Sequence, residues 1–249
     1  MREGIERLQV ELEQTARDLG MEMFGVADVT PAHDHMVSLG GEFLREFPRA
    51  ISLGSRLSDA VVNQIENHGN EGLIRSYQWH VYQITNRFLD GAAHRLTKIL
   101  QAAGYQAYPV HASQYYNIEG LNGIISNKMA AHLSGLGWIG KSVLLVTPEF
   151  GPRVRWATVL TDAPLEAGEP MSRRCGDCTE CLEICPVSAF TGADFSTDMP
   201  REAFFDARAC ADYARNRHKT VMSKLADGNN CGLCVFVCPY GWKTGPEAP

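Results

Sequence analysis

The chain is expected to fold as an α+β protein with α/β-like layers over residues 1–165, followed by a small cysteine-bearing domain over 166–249. Three observations predict this. Helix-like and strand-like periods alternate through the first stretch, all eight cysteines lie between 175 and 238, and "TDAPLEAGEPMSRR" at 161–174 interrupts every period with proline, glycine and charge. A chain of 249 residues, 45% hydrophobic and 21% charged, has the composition of an ordinary globular protein with room for a sizeable core.

The elements follow from periodicity. Ile5, Leu8, Leu12, Ala16 and Leu19 recur at helical spacing and Gly20 offers a C-terminal cap, which predicts an opening amphipathic helix. "MEMFGVADV" and "RAISLG" read as strands, and Ser58 is a suitable N-cap for a helix over "DAVVNQIEN". The longest helical signal covers 72–103, with Ile74, Tyr77, Val81, Ile84 and Phe88 on one stripe and Gly104 at its end. "YQAYPV" is then a strand and "NKMAAHL" a helix, and "VLLVT" and "RVRWATVLT" are two further strands.

Composition excludes several classes. The formal net charge of −6 is opposite to the basic footprint that grips a phosphate backbone, and Arg208, Arg215, Arg217, His218 and Lys219 read as a solvated helix face. No apolar run reaches the length of a membrane span, and "MREGIERLQVELEQ" lacks the features of a secretory or twin-arginine signal. A cytoplasmic protein without membrane contact is expected.

The cysteines define the chemistry. "CGDCTECLEICP" at 175–186 spaces Cys175, Cys178 and Cys181 by C-x2-C-x2-C, which lets three thiolates reach three corners of one iron–sulfur cube. Cys185, followed by proline, belongs in such runs to a second cluster. "CGLCVFVCP" at 231–239 supplies Cys231, Cys234 and Cys238, but Gly228 stands where one more ligand would be. Cys210 fills that gap. One [4Fe–4S] cluster is therefore assigned to Cys175, Cys178, Cys181 and Cys238, and a second to Cys185, Cys210, Cys231 and Cys234, with no sulfur left over. Disulfides would suit a small secreted scaffold, structural zinc takes two separated C-x2-C pairs, and a redox C-x-x-C pair needs no third cysteine. None of these matches the count.

"GLGWIGKS", Gly135 to Ser142, fits the phosphate-loop pattern G-x4-G-K-[ST]. That loop works when a strand enters it and a helix leaves it, so that the helix N-terminus faces the phosphates. Here a predicted helix enters and a predicted strand leaves, which argues against ATP. Three glycines in six residues nevertheless allow close backbone approach to another element or to a flat cofactor.

Residues 128–165, "KMAAHLSGLGWIGKSVLLVTPEFGPRVRWATVLTDAPL", followed by the double cysteine pattern, resemble the epoxyqueuosine reductases and their relatives the reductive dehalogenases. The resemblance implies a nitroreductase-like mixed-sheet domain holding a corrinoid (cobalamin), beside a bacterial-ferredoxin-like two-cluster domain that feeds it electrons. It places Gly135, Gly137, Trp138, Gly140 and Lys141 near the corrin, with His80 facing the same pocket alongside Tyr77 and Asn86. It also implies a redox donor such as ferredoxin or flavodoxin. Two departures stand out. The aspartate proton donor that the family carries in a D-[ST]-x-P segment is replaced by "YPVHASQYYNIEGLNGIISNK", and the chain stops at Pro249 without the family's helical repeats. The first departure makes Tyr115 and Tyr116, with His111 and Glu119, the substitute donor candidates, and makes Lys128 a supporting base. The second, with the acidic charge, argues against a tRNA substrate. The leading expectation is an iron–sulfur oxidoreductase passing single electrons to a corrinoid for reductive chemistry on a small molecule. A relay that reduces a partner corrinoid protein is the alternative, and a flavin in the first domain is a third reading.

Overall fold

The structure, a computed structural model, describes residues 2–113, 119–217 and 231–241. In chain order its elements are α1 (Arg2–Asp18), β1 (Met23–Asp28), α2 (His33–Gly40), β2 (Arg49–Arg56), α3 (Asp59–Asn63), α4 (Glu71–Gln78), a π-helical segment (Trp79–Thr85) and α5 (Asn86–Ala102). There follow β3 (Ala107–Val110), α6 (Asn127–Leu133), β4 (Trp138–Ile139), β5 (Leu145–Val146), β6 (Val154–Thr161), α7 (Glu180–Glu183), α8 (Ala207–Arg217) and α9 (Leu233–Phe236). Among the described residues no helix is long and apolar enough to cross a membrane.

The chain divides into two compact units that interleave along the sequence. One comprises Met1–Arg56, Asn86–Gly137 and Arg155–Met171, and the other Leu57–Thr85, Trp138–Val154 and Ser172–Pro249. The single cut expected at 165/166 is therefore replaced by a division in which two early segments join the cysteines. The physical reason is burial. The cysteine-bearing stretch is short and loop-rich, and a stretch of that size buries too little apolar surface to hold itself together.

The first unit is built on a sheet in the order β1-β2-β6-β3. β1 and β2 pair antiparallel with Val26 opposite Ile51, and β3 and β6 pair antiparallel with Val110 opposite Thr158. Where a mixed sheet was expected, the pairing at both ends is thus antiparallel. The period of two along each strand sorts side chains onto two faces. Val26, Ile51, Leu53, Ala157 and Val159 pack with Leu8, Leu12 and Ala16 of α1 and with Leu89, Ala92, Ala93, Leu96 and Leu100 of α5. Ala27, Ala50 and Leu160 face the other way, onto Met36 of α2 and Ala130 of α6. Helices cover both faces, which is the layered α+β architecture expected.

The local differences from expectation have physical causes. Leu19 is 36% exposed, because α1 ends at Asp18 and Gly20 turns the chain at φ 81°. The long stripe over 72–103 holds through Ile74, Tyr77 and Val81 but not beyond: Ile84 is 54% and Phe88 44% exposed. The π-helical segment adds a residue to the turn and rotates the buried stripe by one position, to Thr85, Asn86 and Leu89. The strand expected over "VLLVT" shrinks to Leu145–Val146, since Val143 sits at φ 56°, outside strand geometry.

In the second unit, Leu57, Val62, Ile65, Tyr77, Val81, Leu233 and Val235 form a buried cluster, and Cys231, Cys234 and Ile184 pack against it. Asn70 caps α4 by accepting the amides of Gly72 and Leu73. Ser58 occupies the N-cap of α3 as expected, but it acts through its carbonyl, which accepts the amides of Val61 and Val62.

Candidate metal centre

Three short pieces of chain present the eight cysteines: α7 with the turns on either side of it, α8 with Cys210, and α9 with the turns on either side of it. No disulfide joins any of them. Gly232 holds φ 74° between Cys231 and α9, a conformation that lets α9 start at once and place Cys234 on its first turn. A Cβ there would lie 2.6 Å from Tyr77 Cε1 and 2.7 Å from Ile65 Cδ1.

Burial and neighbouring sulfurs raise three of the thiols. Burial, then the neighbouring sulfurs of Cys175 and Cys178, push the Cys181 thiol up from 9.0 to about 11. Cys238 rises to about 12, first by burial and then by Cys175, Cys181 and Cys178. Cys234 is raised by burial and by Cys231, Cys210, Cys181 and Cys185. Sulfurs from both cysteine runs act on one another in this way, Cys175 and Cys178 on Cys238, and Cys181 and Cys185 on Cys234. Thiols that raise one another in this way ionise together only against strong positive charge, which is what bound iron supplies. Among the described residues no three His, Cys, Asp or Glu side chains are gathered as for a single metal ion. A cubane asks for a different arrangement, because each of its four thiolates meets a different iron.

The segment 138–146 lies against Cys175 and the turn that follows it. The Trp138 indole N–H donates to Cys175 Sγ at 3.4 Å, from a side chain that is wholly buried. The Tyr240 ring stands edge-on to Trp138 at 4.8 Å, its hydroxyl donates to the Arg174 carbonyl at 2.7 Å, and the Arg174 guanidinium lies 5.7 Å from the indole centroid. Lys141 Nζ donates to the carbonyls of Gly176 at 2.8 Å and Cys178 at 3.2 Å. A Cβ at Gly140 would lie 3.3 Å from Cys175 Sγ. The Ala189 amide donates to Cys185 Sγ at 3.3 Å.

The phosphate-loop match thus acquires another meaning. Its order is α6, then β4 and β5, with no helix leaving it, and its lysine binds backbone carbonyls. The residues expected against a flat cofactor are occupied differently. A Cβ at Gly135, at φ 79°, would meet the Glu169 carbonyl at 2.6 Å, and the Gly137 carbonyl accepts from His132 Nδ1 at 3.0 Å. His80 Nε2 accepts the Ser58 amide at 3.0 Å, and burial holds its pKa below 6.5, so the imidazole is neutral and serves as a helix-start acceptor.

Tyr115 and Tyr116 lie outside the described residues. The chain just before them is anchored: the Ala112 amide donates to Asp90 Oδ1 at 2.8 Å, His111 Nδ1 lies 3.6 Å from Asp90 Oδ2, and Arg155 donates to Ser113 Oγ at 3.0 Å. Lys128 lies in the first turn of α6, and Glu119 follows the undescribed segment. Sequence reasoning missed the roles of Tyr240 and Arg174. The one available signal was an aromatic directly after Cys238-Pro239, and nothing in the sequence joins it to Trp138.

Residues 174–241 match the 4Fe-4S double cluster binding domain family. An epoxyqueuosine reductase of Gloeobacter violaceus is 35% identical over 128 residues, covering 49% of this chain and 37% of that protein. One of Synechocystis sp. is 33% identical over 159 residues, covering 59% of this chain and 50% of that protein. The chain thus spans half or less of these curated relatives. The solved epoxyqueuosine reductase from Streptococcus thermophilus shares the fold at a TM-score of 0.65 and 18% identity, over 94% of this chain and 66% of that one. A catabolic reductive dehalogenase does so at 0.70 and 17%, over 95% of this chain and 32% of that one. The chain is accordingly similar in sequence to epoxyqueuosine reductases, shares the fold of a solved member of that group and of a reductive dehalogenase, and matches the 4Fe-4S double cluster binding domain family over residues 174–241.

Proposed function

We propose that this chain is an epoxyqueuosine reductase-like iron–sulfur oxidoreductase in which Cys175, Cys178, Cys181 and Cys238 hold one [4Fe–4S] cluster and Cys185, Cys210, Cys231 and Cys234 hold the other. The observation that supports this reading is the match of residues 174–241 to the 4Fe-4S double cluster binding domain family, a stretch that holds all eight cysteines with none in a disulfide. The clusters supply single-electron storage and release. The chain supplies the thiolates, N–H donors to two of the sulfurs, and an apolar wall behind Cys231 and Cys234. Reduced ferredoxin or flavodoxin is the donor proposed, giving one electron per encounter.

A corrinoid is the acceptor proposed, on the strength of fold likeness to a dehalogenase described as B12-dependent. Trp138, Gly140 and Lys141 lie against Cys175 or the turn that follows it. That observation favours the second reading, a relay that reduces a corrinoid held by a partner protein. A solved epoxyqueuosine reductase carries an epoxyqueuosine-modified tRNA stem loop, so such a stem loop is the first substrate to test, against the expectation drawn from net charge.

The deciding experiment is anaerobic purification, cluster reconstitution and iron analysis, followed by titration with cobalamin under visible and EPR spectroscopy. About eight irons per chain are expected. A stoichiometric change in the Co(II) spectrum supports an acceptor within the chain. No change at micromolar protein, with electrons still passing to a corrinoid protein, supports the relay. About four irons would end the two-cluster reading.

A further inference from the structure

We infer that the hairpin Trp138–Val146 is a clip that raises the reduction potential of the cluster held by Cys175, Cys178, Cys181 and Cys238. The inference rests on the ligand assignment above and extends it to residues outside the cysteine runs. Four observations converge on it. Trp138 directs its only polar hydrogen at Cys175 Sγ, from a position with no solvent access to offer a competing acceptor. Lys141 carries its charge into the turn between Cys175 and Cys178, bridging the carbonyls of Gly176 and Cys178. Gly140 lacks the Cβ that would press on Cys175 Sγ at 3.3 Å and on Val146 Cγ2 at 2.9 Å. Val143, at the tip of the same hairpin, holds φ 56°, a conformation that costs a β-branched residue about 1–3 kcal/mol and persists where the surroundings impose it.

The electrostatic consequence has a definite sign. Reduction adds one negative charge to the cluster and its thiolates. A donor aimed at a thiolate sulfur and a cation over its loop therefore stabilise the reduced state more than the oxidised one, and the potential rises. The pattern that resembles a phosphate loop is, in this unit, a device for holding an N–H and an ammonium against a metal-binding turn. Tyr240 fixes the indole edge-on, and its hydroxyl ties the Arg174 carbonyl beside Cys175, so the donor is oriented by packing.

The test is an EPR-monitored redox titration of the reconstituted full chain and of two variants. Trp138→Phe keeps a ring against Tyr240 and removes the N–H, and Lys141→Met keeps the stem and removes the charge. Each variant is expected to lower one of the two midpoints while the other stays in place. Loss of one N–H donor corresponds to about a three- to tenfold change in the reduction equilibrium, and tenfold is about 59 mV for a one-electron couple. Pulsed EPR in D2O provides a second readout: an exchangeable-proton coupling present in the parent disappears in Trp138→Phe. Iron at parent level with both midpoints unmoved in both variants overturns the inference, as does an equal shift of both midpoints. Should Trp138→Phe fail to load iron, the Lys141→Met midpoint decides alone. A parent that binds about four irons defeats the ligand assignment instead, so the two failures are told apart by iron content.

Discussion

Replacing Gly232 with alanine should destabilise the cysteine-bearing unit strongly, by a sum of two terms that the structure separates. The first is conformational: φ is 74°, and an L-residue in the left-handed region costs about 1–2 kcal/mol. The second is steric: the new Cβ would fall 2.6 Å from Tyr77 Cε1 and 2.7 Å from Ile65 Cδ1, both in the buried wall behind Cys231 and Cys234. Overpacking of that kind costs about 1–3 kcal/mol. The total is about 2–5 kcal/mol, against a whole-protein stability of about 5–15 kcal/mol. At about 2–4 °C per kcal/mol for a chain of this size, the melting midpoint should fall by roughly 4–20 °C. Gly176→Ala is the matched control. It also neighbours a cluster cysteine and has φ 52°, but its Cβ would meet nothing within 4 Å, so its fall should be roughly 2–8 °C. Differential scanning calorimetry and iron analysis on the anaerobic proteins measure both effects, and Gly232→Ala should also lose iron from one cluster. Equal midpoints for the two variants would refute the steric argument, and a Gly232→Ala protein that melts like the parent would refute both terms.

Other outcomes follow from the same site. Cys210→Ala should reduce iron from about eight to about four per chain and leave one EPR-active cluster; retention of the full complement would show that Cys210 is no ligand. The cluster-free protein should lose stability at alkaline pH. Cys181 and Cys238 are raised from 9.0 to about 11 and about 12, so the folded state holds protons that the unfolded state releases. Their contribution is complete below pH 9.0 and disappears as pH rises through the folded values, whereas in the iron-loaded protein these sulfurs are bound as thiolates and the alkaline loss should be absent; urea midpoints from pH 7 to 11 measure the difference. His80 works in the opposite direction. Its pKa is lowered by burial and its Nε2 must stay unprotonated to accept the Ser58 amide, so its contribution is present above pH 6.5 and falls away as pH drops through the folded value. His80→Phe should remove that acid dependence and cost about 1–3 kcal/mol for the orphaned amide, read by denaturation at pH 5 and pH 8.

The readable parts of this sequence are those in which a short period or a fixed spacing carries the information. α6 forms over Asn127–Leu133 as its sequence predicts, and β6 occupies Val154–Thr161, because apolar residues recur at the element's own period and polar neighbours stop them. The long run after Glu71 shows where that logic ends. Its heptad-like stripe is correct up to Val81, but one π-helical turn moves every later contact by a residue. Periodicity has no term for such a turn.

The cysteine spacing pointed to the iron–sulfur chemistry that the match of residues 174–241 supports, since ligand geometry is written into short sequence intervals, and it offers Cys210 as the ligand for the gap at Gly228. The same sequence could not show that Leu57–Thr85 and Trp138–Val154 leave the layered domain to build walls around those cysteines. Nor could it show that Lys141 holds carbonyls instead of phosphates. Local spacing determines which atoms are able to bind a metal. Which distant side chains approach those atoms depends on burying apolar surface that a short, loop-rich stretch cannot cover by itself, and only the folded chain decides that.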